Sequence, residues 1–242
     1  MITSKKTLQS EEEWNNEWLK WFVRYSSGNP RLGKWISSTY RVAGAEILEI
    51  GAGSARESRF LAARAKCVNC VDFSPAAINL LTKSRLPENM KVLVADASVL
   101  PFPEKAFDLS FHKGVWVLFN EDEKLELFLE EQLRVTKGVV LAIVQNARNF
   151  KQVKEADLRS VSDPLFRIRF FDPDELKNLA KKVLKKSCVS ASVRVLKYGN
   201  PRLSKIFSPF GVFGDWIVSK IYRFIPWKFV ECGVLEIVKC RS

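Results

Sequence analysis

The sequence predicts a doubly wound α/β fold: a mostly parallel, seven-stranded sheet with an N-terminal helical cap and an insertion before the last strand. Three observations predict it. From Glu46 onward, short apolar runs of strand length alternate with helix-length amphipathic segments. The first such run ends in a glycine loop, Gly51-Ala52-Gly53. The acidic landmarks after it fall at the carboxyl ends of predicted strands, where open α/β sheets bind ligands.

The elements follow in order. Ser10-x-x-Glu13 is a capping-box signature, and Trp14, Trp18, Trp21 and Phe22 then give the first helix an aromatic face. A second helix is predicted over Leu32 to Val42. Glu46 to Ile50 reads as a strand, and a helix near Ser54 to Ala65 follows the glycine loop. Cys67 to Val71 is the second strand, ending in Asp72. Ser74 caps the next helix, which runs through Leu81, and Pro75 takes its first position, where a missing N–H costs nothing. Lys91 to Ala95 and Phe107 to Phe111 are further strands, Asp122 to Arg134 a helix, and Val139 to Val144 the fifth strand. Asp172-Pro173-Asp174 starts a helix through Leu184 with a basic end that suits the helix dipole. Cys188 to Leu196 and Val234 to Cys240 complete the strands. The implied organisation is a cap over 1–44, a core over 45–198, an apolar and basic insertion over 199–233, and a last core strand over 234–242.

Composition narrows the class. Of 242 residues, 47% are hydrophobic and 27% charged, which suits a globular domain with a sizeable core. The five cysteines are odd in number, and polar Thr3, Ser4, Lys5 and Lys6 lead into Glu11–Glu13 without an apolar stretch. Reduced thiols in a cytoplasmic protein fit that pattern. Cys67-x-x-Cys70 lies inside a strand and has no partner pair, so buried thiols are expected rather than a metal site. The formal charge of +12 is uneven: residues 151–242 hold 19 Lys/Arg and 9 Asp/Glu. From Leu176 to Val230 there are 12 basic residues and one acid, Asp215, which marks a contact surface for something anionic.

The glycine loop lets the backbone approach a ligand and turn sharply into a helix. A dinucleotide loop, G-x-G-x-x-G/A, fails because Arg56 occupies its sixth position. Asp72 lies 19 residues past Gly53, where a carboxylate can accept from both hydroxyls of a ribose. The alternative, a helix-capping aspartate, is already served by Ser74.

These residues carry a resemblance. Ile47-Leu48-Glu49-Ile50-Gly51-Ala52-Gly53-Ser54-Ala55 resembles motif I of class I S-adenosylmethionine-dependent methyltransferases. Val71-Asp72-Phe73-Ser74 is similar to their second motif. Ala95-Asp96-Ala97-Ser98-Val99-Leu100-Pro101-Phe102 matches the D-A-x-x-L-P-F segment of the methyltransferase type 11 group. Phe107 to Val115 is similar to the fourth-strand motif, and Phe170 to Leu176 to a later helix start. The resemblance implies a Rossmann-like fold and S-adenosyl-L-methionine as cofactor. It implies cofactor contacts from Glu49, Gly51, Ala52, Gly53, Asp72, Phe73, Asp96, Ala97 and His112. Asp72 would hold the ribose, and Asp96 with the next backbone N–H the adenine. Ala55 stands where the family often has glycine, and Val115 to Phe119 lacks the histidine many members carry.

His112, the sole histidine, ends the fourth strand near the expected methyl and is the candidate general base. A base is needed only if the acceptor must lose a proton. The expected acceptor is a small, apolar or lipid-like molecule, with RNA or protein as the alternative, or a non-catalytic cofactor-binding role. The tryptophan-bearing first helix is either a lid or simple packing. The insertion, Gly199 to Gly233, interleaves Phe207, Phe210, Phe213, Trp216 and Phe224 with Lys205, Lys220, Arg223 and Lys228. An apolar substrate pocket, an anionic membrane surface, an oligomer contact, a nucleic-acid surface and a plain solvated basic face over a hydrophobic cover all fit it equally.

Overall fold

The computed structural model describes residues 10–207 and 211–240. Helices α1 (Glu11–Ser26) and α2 (Arg31–Thr39) come first. The capping box of α1 forms: Glu13 N–H donates to Ser10 Oγ, and Ser10 N–H donates back to Glu13 Oε2. α2 ends before the expected Val42 because Tyr40 is extended. Then follow β1 (Glu46–Ile50), α3 (Arg56–Ala62), β2 (Cys67–Asp72), α4 (Pro75–Lys83), β3 (Met90–Val94), β4 (Phe107–Lys113), α5 (Asp122–Val135) and β5 (Thr136–Gln145). The chain continues through α6 (Phe150–Arg159), α7 (Pro173–Lys186), β6 (Ala191–Tyr198), α8 (Pro201–Phe207), α9 (Gly211–Ile221) and β7 (Cys232–Lys239).

One seven-stranded sheet runs in the order β3-β2-β1-β4-β5-β7-β6. β7 alone is antiparallel to its neighbours, wedged between β5 and β6. The order reverses between β1 and β4, so ligands are expected beyond the carboxyl ends of those strands. Helices cover both faces. One buried cluster joins Leu32, Trp35 and Ile36 of α2 to Ile47, Phe111 and Val234. The other joins Phe128, Leu129 and Leu133 of α5 and Leu176 and Val183 of α7 to Leu48, Val140 and Leu235. Glu236, buried on β7, is satisfied by Arg194 Nε and by Tyr40 OH at 2.7 Å.

Several boundaries differ from the sequence reading by a few residues, two of them for a clear backbone reason. α3 starts at Arg56 rather than Ser54 because Ala55 is left-handed, with φ 48°. β6 starts at Ala191 rather than Cys188, since Cys188 (φ 53°) forms the turn that closes α7. α6 has no counterpart in that reading, although Asn149 signals it: its side chain accepts from Gln152 N–H at 3.2 Å and caps the helix. Phe210 and the Phe213 side chain lie outside the described residues, as do the polar residues Thr3 to Lys6. The described insertion joins the main core: Tyr222 meets Tyr198 edge-on at 5.9 Å, and Tyr198 meets Trp35 at 5.5 Å.

Candidate functional site

The site is built where β1, β2, β3 and β4 stop. Past β1 two glycines take positive φ angles, 65° at Gly51 and 51° at Gly53, before the left-handed Ala55. Both positions are also closely covered. A Cβ on Gly51 would lie 2.3 Å from Val115 Cγ2, and one on Gly53 would lie 2.1 Å from the Trp18 ring. Glycine is therefore required twice over at each, by conformation and by space.

Asp72, at the end of β2, organises the loop. Its Oδ2 accepts from Gly53 N–H at 2.7 Å and its Oδ1 from Ser74 N–H at 2.9 Å. Burial pushes the carboxyl up, and N–H donors from Ser74, Gly53 and Phe73 pull it back down. Ala52 N–H donates to Val71 O at 3.0 Å, stitching the loop to β2. Beyond β3, Asp96 Oδ1 accepts from the Ser98 N–H and hydroxyl at 2.8 and 2.7 Å, forming a tight turn at the rim.

These ends open into one cavity of about 460 Å³, within the range for small-molecule sites. Gly51, Asp72, Phe73, Asp96 and Ala97 line one side. Val115, Leu118, Phe119, Leu127 and Phe128 form an apolar wall, with Lys113 and Lys124 at its edges. Trp14 and Trp18 of α1 complete the lining. α1 is fixed there by Asn15, whose Oδ1 accepts from Ser74 Oγ at 2.6 Å and from Ala76 N–H at 3.1 Å.

Residues 47–138 match the family model described as a methyltransferase domain, and this segment contains Gly51, Asp72 and Asp96. That segment is a methyltransferase domain. Solved structures agree with it in fold. The methyltransferase chain from a complex with the Haloferax volcanii Trm112 methyltransferase activator is 14% identical, with a TM-score of 0.62 over 96% of each chain. A SAM-dependent methyltransferase from Thermotoga maritima is 17% identical, with a TM-score of 0.58 over 95% of this chain and 98% of that one. The magnesium protoporphyrin IX methyltransferase of Synechocystis PCC 6803, with bound SAH, is 11% identical, with a TM-score of 0.58 over 98% and 90%. Among curated protein sequences, none matches this chain.

Within the methyltransferase domain, the expected site residues fall into two groups. Gly51, Asp72, Phe73, Asp96 and Ala97 reach the cavity, and Gly53 and Ala52 shape the loop beside it. Glu49 and His112 do not line it. Glu49 points to α3 and accepts from Ser58 Oγ. Burial pushes its carboxyl up to about 8, against the Ser58 hydrogen bond and with help from Glu57, so it is largely uncharged at neutral pH. His112 is fully buried, with Trp116 and Phe128 ring centroids each 5.0 Å away. Its two ring nitrogens have no hydrogen-bond partner, and burial pushes its pKa down to about 3. β4 explains the placement: alternation sends Ser110 and His112 toward α5 and Lys113 to the other face. A ring sealed between aromatics has no path for a proton from an acceptor, so this geometry does not support His112 as the base.

Several lining residues carried no sequence signal of their own. Lys124, Leu127 and Phe128 reach the cavity from α5 at i, i+3 and i+4 spacing, which marks a helix face but not its destination. Among the described residues no cluster of His, Cys, Asp and Glu could hold a metal. Cys70 is a buried free thiol and Cys67 a half-buried one. No described helix is long and apolar enough to cross a membrane.

Proposed function

We propose that this methyltransferase moves a methyl group from S-adenosylmethionine to a small, apolar or lipid-like acceptor by in-line displacement. The observation that carries the reading is the convergence of Gly51, Asp72 and Asp96, from three strand ends, on one cavity. The residues fit the cofactor. The Gly51 backbone, which lines the cavity, suits a close-lying amino-acid end, and the Asp72 carboxylate suits ribose hydroxyls. Asp96 and the Ala97 backbone suit the adenine, with Phe73 beside it. When bound, the cofactor supplies a methyl already activated by its sulfonium.

The chain's own residues then have to align, enclose and desolvate. Trp14 and Trp18 shield the cavity from water, and the Phe119 and Phe128 wall offers an apolar acceptor a dry surface. Alignment alone can supply on the order of several kcal/mol of barrier lowering. The cavity lining contains no histidine, so the reading favours an acceptor atom that attacks without prior deprotonation. The basic run from Leu176 to Val230 favours a second reading, an RNA or protein acceptor.

A thermal shift tests the shared step. At a hundredfold excess over Kd, cofactor or its demethylated product should raise Tm by roughly 5–10 °C. Gly51→Val and Asp72→Ala should each remove the shift while the protein still melts cooperatively. No shift in the wild-type protein with either compound would sink the assignment. Labelled methyl recovered in extracted lipids or small molecules supports the first acceptor class, and recovery in RNA or protein supports the second.

A further inference from the structure

The insertion has a surface that the site does not use. After α9 the chain makes two short 3₁₀ turns, Tyr222–Phe224 and Trp227–Phe229. Their ends are anchored: Tyr222 and Val230 are buried. Lys197 Nζ donates to the carbonyls of Arg223 and Ile225 at 3.2 and 2.6 Å, and Asn200 Nδ2 donates to Phe229 O at 3.0 Å. What the anchoring leaves outside is apolar. Phe224 is 73% exposed and Phe229 54%, and neither lines the cavity. Singly exposed apolar residues need no explanation, but two phenylalanines projecting from pinned turns do.

Cations sit directly on them. Arg223 lies over the Phe224 ring at 4.6 Å, and Lys228 over the Phe229 ring at 5.1 Å. Lys220, one turn earlier on α9, is exposed too. Each aromatic is thus a wedge with a cation folded onto its face. That arrangement suits the boundary of a bilayer, where rings enter the acyl region and cations stay with anionic headgroups. It suits a nucleic acid less well. Bases stack on ring faces, and here a cation already occupies one face of each ring.

We propose that the Phe224–Phe229 turns dock this protein on a bilayer bearing anionic lipid headgroups. The docking is peripheral, since no described helix is long and apolar enough to span. It goes beyond the reading of the cavity and does not depend on it. Each cation close to such a surface strengthens binding roughly fivefold, and each inserted phenylalanine at least about tenfold.

The test is vesicle sedimentation of the full chain. Phosphatidylcholine vesicles carrying phosphatidylglycerol should pull the protein down, phosphatidylcholine alone should not, and high salt should weaken the retention. Phe224→Ser with Phe229→Ser should lower partitioning at least about 100-fold. Arg223→Glu with Lys228→Glu should lower it at least about 25-fold on anionic vesicles only. Both double variants should keep the cofactor thermal shift, which separates failure of this docking from failure of the cavity. Equal retention on both vesicle types, no retention on either, or undiminished retention of both double variants overturns the proposal. So does salt-sensitive RNA binding, without vesicle binding, that the charge reversals abolish. Self-association that the serine pair abolishes, without vesicle binding, overturns it in favour of a second copy of the chain.

Discussion

At Asp72, desolvation and hydrogen bonding pull the carboxyl in opposite directions, and the two backbone donors it satisfies belong to the glycine loop and to the start of α4. Asp72→Asn turns one acceptor oxygen into a donor, so one of those N–H groups then faces an N–H. Unfolding by urea should show a loss of about 1–3 kcal/mol. Cofactor titration should show affinity down about tenfold or more, because the hydroxyls would lose a charged acceptor. Unchanged stability would mean that the carboxylate does not hold the loop. Ala55 is a second instructive position. It is fully buried and left-handed, a conformation that costs an L-residue about 1–2 kcal/mol. Ala55→Gly relieves that strain but removes a buried methyl, about 0.8 kcal/mol, and adds chain entropy to the unfolded state, about 0.5–1 kcal/mol. The terms nearly cancel, so the urea midpoint should shift by less than about 1 kcal/mol. At this scale the sequence was readable where chemistry is local. Gly51, Gly53, Asp72 and Asp96 announce themselves by type and spacing. The direction of His112 was not readable, because a strand's end fixes a residue's height in the sheet while its register decides the face.

α1 shows how an element can be held by few contacts. None of its residues is fully buried, and Asn15 ties it to the start of α4 through two hydrogen bonds. Arg56 adds one more, donating to Tyr25 O at 3.2 Å. Elements with little burial open at low cost. Asn15→Ala should lower the opening free energy of α1 by about 1–2 kcal/mol. Hydrogen exchange over residues 11–26 should then speed up roughly 5–30-fold while the sheet is unaffected. Saturating cofactor should restore part of the protection, since Trp14 and Trp18 line its cavity. Uniform acceleration across the chain, or none, would contradict the idea of an independently opening cover. Helices and strands with strong periodicity were legible in sequence to within a few residues. α6 was not: only Ala156 of its residues is buried, and its start is marked by the single cap Asn149.

For the whole molecule, two buried titratable groups oppose each other across the pH scale. Glu49 is raised from 4.5 to about 8, so the unfolded chain releases its proton first and stability falls as pH rises between those values. Asp72 acts in the same direction. His112 is lowered from 6.5 to about 3, so the unfolded chain takes up a proton first and stability falls as pH drops through that window. Glu49 and His112 cancel between 4.5 and 6.5, leaving an alkaline limb up to about 8 and an acid limb down to about 3. Glu49 and His112 each contribute a slope of about 1.4 kcal/mol per pH unit to their own limb. Urea midpoints measured across pH should show the alkaline limb flattening in Glu49→Gln and the acid limb shrinking in His112→Phe. The acid limb persists in part because Asp172, held low by Arg148, is lost there too, weakly since both are largely exposed. The overall α/β class was legible from alternation alone, but the place of β7 was not, since its pairing with β5 and β6 joins segments far apart in the chain. That place has a consequence during synthesis. A ribosome delivers the amino-terminal strands first. β5 and β6 cannot be joined into the same sheet until residue 239 has emerged, so until then the growing chain must keep two sticky edges apart, and any stall before that point should recruit chaperones.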